Sequence, residues 1–168
     1  MNEVFAEHIV KCRLSPKMLA ARLALIWGSF VLIILAGVLL KMAAPIAIGI
    51  VLYIAFYLWG LTNVEYEYSI LNSDLTIEAI YGQRSRKRKM EIDLKKAEII
   101  ALLSTGKLDH YSGRVEVRNY SSLTKNDNLV GIVLHEKDTY VEVIIQPNER
   151  VMEAIKAVRP IFASNLTA

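Results

Sequence analysis

Two runs of the chain carry no charged residue, Leu23–Leu40 and Met42–Thr62, and a single lysine, Lys41, separates them. At about 1.5 Å per residue each run reaches roughly 30 Å, the thickness of a bilayer's hydrocarbon layer. Both lack the polar face that a helix on a soluble core would show. The pattern predicts two membrane-spanning helices at about 20–40 and 43–62. Pro45 suits the first turn of the second helix, so Leu40–Ala44 reads as a tight turn and the pair as an antiparallel hairpin spanning 19–62.

Beyond Thr62 the period changes to two. Tyr66, Tyr68 and Ile70 alternate with Glu65, Glu67 and Ser69, and Leu75, Ile77, Ala79 and Tyr81 resume after the turn residues Leu71–Asp74. Further strands are expected at Met90–Leu94, Ala97–Leu103, around Val115–Arg118, at Val130–His135 and at Tyr140–Ile145, with turn clusters at Lys125–Asn128 and Glu136–Thr139. Pro147–Phe162 then places Val151, Ile155, Val158 and Phe162 at spacings of four, three and four, one apolar stripe on a closing helix. Seven strands and one helix are expected over 64–168. Residues 1–18, with Val4, Phe5, Ile9 and Val10 among Glu3, Glu7, His8 and Lys11, read as a short amphipathic helix before Pro16.

Charge fixes the expected orientation. Lys11, Arg13, Lys17 and Arg22 precede the first run, and Arg84, Arg86, Lys87, Arg88 and Lys89 follow the second, whereas Lys41 alone lies between. The positive-inside rule therefore predicts a multi-pass protein of the plasma membrane with both termini in the cytoplasm. Trp27, Tyr57 and Trp59 would anchor the spans at the cytoplasmic interface, where amphipathic rings prefer to lie. Ala20, Ala24 and Gly28 on the first helix, and Ala43 and Ala47 on the second, suggest close packing within the hairpin. The first run exceeds a signal-peptide core and a second run follows it, so no cleavage is expected.

Composition narrows the chemistry. Of 168 residues, 54% are hydrophobic, and the mean hydropathy of +0.32 is concentrated in the two runs. A net charge of +3 with no nucleic-acid motif gives no reason to expect a nucleic-acid partner. Cys12 is the sole cysteine, so no internal disulfide can form, and a reduced cytoplasmic thiol is the expectation over a palmitoylated one. His8, His110 and His135 lack metal-ligand spacing, and Asp109, His110, Tyr111 and Ser112 have no glycine elbow or second acid to make a nucleophile. No cofactor and no enzymatic activity are expected.

The strand pair Tyr66–Ile70 and Leu75–Tyr81, the segments Met90–Leu94 and Ala97–Leu103, and the helix from Pro147, placed behind a two-helix anchor, resemble bacterial membrane proteins that carry a pleckstrin-homology (PH)-like cytoplasmic domain. The resemblance implies an α+β membrane protein: a transmembrane hairpin, then a seven-stranded antiparallel barrel or sandwich capped by the C-terminal helix. Exposed strand edges and the groove beside the C-terminal helix give the preferred expectation, a non-enzymatic module that scaffolds a protein partner or a neighbouring subunit at the membrane. The turn Leu71–Asp74 is short and acidic, which argues against a phosphoinositide pocket between the first two of these strands. The run Arg84–Lys89, read as a loop facing the bilayer, supplies the other expectation, contact with anionic lipid.

Overall fold

The computed structural model describes residues 5–13, 16–111, 115–123, 128–136 and 139–166. The expected turn residues Lys125–Asp127 and Lys137–Asp138, and Ser112, lie outside them. Two compact units are distinguished. One takes the described parts of Met1–Arg13, Glu65–Ala79 and Arg86–Ala168, and the other those of Leu14–Val64 and Ile80–Ser85.

In the first unit, strand β1 (Phe5–Lys11) pairs antiparallel with β2 (Val64–Leu71), Phe5 opposite Leu71 and Lys11 opposite Glu65. The N-terminal segment, expected as an amphipathic helix, is therefore a strand. Its apolar residues fit either period, but Ala6, His8 and Val10 face inward while Phe5, Glu7, Ile9 and Lys11 face out, which is an alternation of two. Tertiary pairing with β2 decides between the two readings. β3 (Asp74–Tyr81) and β4 (Ser85–Asp93) complete a four-stranded sheet in the order β1-β2-β3-β4.

The second sheet is built from β5 (Ile99–Leu102), β6 (Val115–Asn119), β7 (Val130–Glu136) and β8 (Thr139–Ile145), in the order β5-β7-β8-β6. β6 runs parallel to β8 and the other described pairings in this sheet are antiparallel. Among the described residues, eight strands in two four-stranded sheets thus replace the expected seven-stranded barrel, and the extra strand is β1.

Inner faces of both sheets meet in one core. Tyr68, Ile70, Leu75 and Ile77 come from the first sheet and Ile100, Val130, Ile132, Val143 and Ile145 from the second. The helix Glu149–Val158 closes it with Val151, Ala154 and Ile155; Asn148 caps its first turn by accepting from the Val151 amide at 2.9 Å. A 3-10 segment, Pro160–Leu166, follows. Tyr68 ties the sheets together: its buried hydroxyl donates to the Tyr120 carbonyl at 2.6 Å and accepts from the Gln146 amide at 3.4 Å. Burial pushes this phenol above its ordinary pKa, so it stays a donor at any physiological pH.

In the second unit, α1 (Pro16–Leu40) and α2 (Ala44–Leu61) are joined by a 3-10 turn at Lys41–Ala43, and Lys41 adopts φ +42. The helix closing the first unit is α3 from here on. Arg22 near the start of α1 bonds Thr62 and Asn63 just past α2, so α1 and α2 are antiparallel neighbours. Of the small residues expected at the helix contact, Gly28 makes no close approach to α2. Ala24 and Gly28 line an apolar groove of about 240 Å³ with Val51, Ile54 and Leu58, and a Cβ added at Gly28 would meet nothing within 4 Å. A groove lined by a glycine stays open because nothing across it reaches in.

The chain connectivity is unusual for neighbouring strands. β1 and β2 are adjacent in the sheet, where a two-residue turn would suffice. Here α1 and α2 both lie within the connection between them.

Candidate functional sites

Among the described residues β1 is an edge strand of its sheet, and α3 packs against it. On its outer face Phe5 is 67% and Ile9 44% exposed, with Leu71 opposite Phe5 also exposed. A shallow open depression runs along Phe5–Ile9 and is bounded by Arg150 from the first turn of α3. An extended strand edge, alternating exposed apolar side chains and a cation at one wall are the elements of strand-addition recognition. Hydrophobic patterning alone did not single out these residues: in an amphipathic helix Phe5 and Ile9 would share the apolar face, whereas in the strand they point outward. The signal lay in the β-branched pair Ile9–Val10.

The expected basic loop is not a loop. Ser85–Asp93 is a strand, and only Arg84 of the basic run sits in the turn before it. β4 is the other edge of the first sheet, and Ser85–Lys89 are exposed throughout. Consecutive charges are one way in which edge strands avoid pairing with other chains, so the absence of apolar alternation misled the sequence reading. Arg86 and Arg88 face a row of carboxylates: Arg86 lies 2.8 Å from Glu67, and Arg88 lies 3.8 Å from Glu78 and 2.8 Å from Glu91. To reach β2 from β4, Arg86 must cross β3, and its apolar stem then covers part of that strand. Lys87 and Lys89 fall on the opposite phase of the two-residue period.

Glu67 is the unusual member of this row, only 5% exposed. Its contact with Arg86 is an ion pair without an aligned hydrogen bond. The neighbouring Glu7 carboxyl, through a side-chain hydrogen bond, raises the Glu67 pKa above the ordinary carboxylate value; burial adds to this and Arg86 opposes it.

At the end of the helix pair, the Arg22 guanidinium lies 4.9 Å from the Trp59 ring centroid, donates from Nε to Thr62 Oγ1 at 2.7 Å, and bonds Asn63 Oδ1. The turn Tyr81–Arg84 belongs to the same unit. The Gly82 amide donates to the Asn63 carbonyl at 2.8 Å, and the Arg84 guanidinium lies 6.0 Å from the Phe56 ring centroid. Gly82 has φ +57, and a Cβ there would come within 2.6 Å of the Gly60 carbonyl oxygen, so glycine is required twice over. Of the three expected interface anchors, the structure brings Trp59 together with Arg22. Trp27 packs edge-on against Phe30 at 6.4 Å, and Tyr57 is exposed on α2. The stretch Pro16–Leu61 is long and apolar enough to cross a membrane, and 6% of its most apolar window is buried.

On the outer face of the second sheet, residues 103–111 fold over Ala101 and Val133 and bury Leu108 between them. His110 lies beside Tyr111, and His135 beside Tyr140. Glu142 on the same face is pushed above the ordinary carboxylate range by burial and then by Asp109. No group of three or more His, Cys, Asp or Glu side chains among the described residues could hold a metal ion. Burial likewise raises the Cys12 thiol above its ordinary pKa, which lowers its reactivity.

Two stacked antiparallel-rich sheets with a helix closing one end of a common core define a PH-like domain. The chain belongs to the family described as bacterial PH-like domain (DUF6106), which matches residues 2–162, from before β1 through α1 and α2 to the segment after α3. No curated protein and no solved structure matches the chain.

Proposed function

We propose that the chain is a non-enzymatic, membrane-anchored PH-like module that holds a protein partner at the cytoplasmic face of the plasma membrane. In this reading α1 and α2 cross the bilayer as a hairpin with both termini cytoplasmic. The partner adds an extended segment to the edge strand β1. The observation that carries the reading is the terminal place of β1 in its sheet, with Phe5 and Ile9 exposed beside Arg150. The segment it suits alternates apolar residues with an acidic one placed to meet Arg150.

A photo-crosslinking side chain at Ile9 in the full-length protein, in native membranes, tests this. The expected result is one discrete adduct that Arg150→Glu weakens severalfold and that a probe at Val117, on the exposed β6, does not form. Equal adducts at both positions, or indifference to Arg150→Glu, would contradict it. An adduct of twice the chain's mass would identify the partner as a second copy.

A second reading, contact with anionic lipid, is favoured by one feature. The basic turn residue Arg84 lies beside Phe56 at the end of α2, where a spanning helix would meet the headgroups.

A further inference from the structure

Two arginines of the basic run already have partners. Arg86 and Arg88 stand against Glu67, Glu78 and Glu91, so their charge is matched within the first sheet. Arg84 differs: among the described residues no carboxylate pairs with it, and its guanidinium lies over Phe56. Arg22 is in the same condition. Its described partners are the neutral Thr62 and Asn63 and the Trp59 ring, with no carboxylate among the described residues.

These side chains converge by construction. Phe56 and Trp59, three residues apart, share one side of the end of α2, and Asn63 lies just past that end. The bond from the Gly82 amide to the Asn63 carbonyl, with the close approach of Gly82 to Gly60, fixes the turn that bears Arg84 at that same end. Two guanidinium groups that stay charged at any physiological pH are thus presented at one end of an apolar helix pair, with no protein carboxylate against either.

A charge at the border of a low-dielectric phase is costly without a counter-ion. The planar guanidinium can lie on an aromatic ring and still direct its edge N–H groups outward, in the fork geometry that matches phosphate oxygens. We propose that Arg22 and Arg84 form a binding site for the phosphodiester of an anionic phospholipid, seated at the end of α1 and α2 above Phe56 and Trp59. The proposal rests on the membrane reading and on lipid contact, and it assigns that contact to two residues, away from the run Arg86–Lys89.

The chain has two tryptophans, so Trp27→Phe leaves Trp59 as a reporter inside the proposed site. The full-length protein, in phosphatidylcholine bilayers, is titrated with chain-brominated phosphatidylglycerol and, separately, chain-brominated phosphatidylcholine. The expected result is that the brominated anionic lipid quenches Trp59 as if enriched roughly fivefold over its bulk fraction, an enrichment that falls with added salt. Arg84→Gln should reduce it severalfold, Arg84→Lys should keep part of it, and Lys87→Gln should leave it unchanged. Equal quenching by the two lipids, selectivity that survives Arg84→Gln, or an equal loss with Lys87→Gln would overturn the proposal. If neither lipid quenches Trp59, the membrane reading fails and the site with it.

Discussion

At the residue scale, Glu67 and Tyr68 are neighbours on β2 that face opposite ways and set opposite conditions on the fold. Glu67 is buried on the outer face, beside Glu7, and its pKa is raised. For an acid raised in the folded state, folding favours the protonated form. The stability it contributes is intact below the ordinary carboxylate pKa and declines as pH rises from there through the raised value. Glu67→Gln should therefore stabilise the protein at pH 7 and have little effect at pH 4, as thermal melts at the two pH values would show. A larger gain at pH 4 would contradict the assignment. Tyr68 faces the core, and Tyr68→Phe removes the donor to the buried Tyr120 carbonyl. It should cost about 1–2 kcal/mol with no pH dependence between pH 5 and pH 8, measured by denaturant titration. Both residues were legible in the sequence only as members of an alternation. That Glu67 would be buried on the outward phase was not, because its cover comes from Arg86 two strands away.

At the element scale, the apolar helices were legible as long uncharged runs and most of the strands as an unbroken alternation. The errors fell where local pattern and tertiary pairing disagree. β1 has too few residues to separate a period of two from one of 3.6, and its partner β2 lies more than fifty residues on. β4 has charges where a strand would show alternation, since an edge strand needs backbone partners on one side only. Glycines divide similarly. Gly82→Ala forces a side chain against the Gly60 carbonyl at a positive φ and should lower the melting temperature clearly. Gly28→Ala meets open space and should leave it unchanged or raise it slightly, since alanine favours a helix by about 1 kcal/mol over glycine. Equal effects of the two substitutions would contradict the packing described.

At the scale of the molecule, the central feature is an insertion: α1 and α2 interrupt a sheet between two strands that are hydrogen-bonded neighbours. The domain therefore has two covalent connections to its helices, one on each side. It also follows that a fragment beginning at Val64 lacks an edge strand and uncovers Tyr68 and Ile70. We expect such a fragment to aggregate or melt without cooperativity. The same fragment with Phe5–Lys11 joined ahead of it through a short Asn-Gly turn should fold as a soluble domain. Circular dichroism melts of the two decide this, and cooperative folding of the shorter one would show that β1 is dispensable. None of this was readable from hydropathy, which divides the chain into consecutive blocks and cannot see that the first block and the third share a sheet.

The proposed membrane hairpin is tested most directly with the chain's own cysteine. Three single-cysteine proteins, the native one with Cys12 and Lys41→Cys and Lys96→Cys in a Cys12→Ser background, are labelled with a membrane-impermeant maleimide in intact cells and in inverted vesicles. The account predicts that positions 12 and 96 label only in inverted vesicles and position 41 only in intact cells. Labelling of all three from one side would mean that the apolar helices do not cross the bilayer.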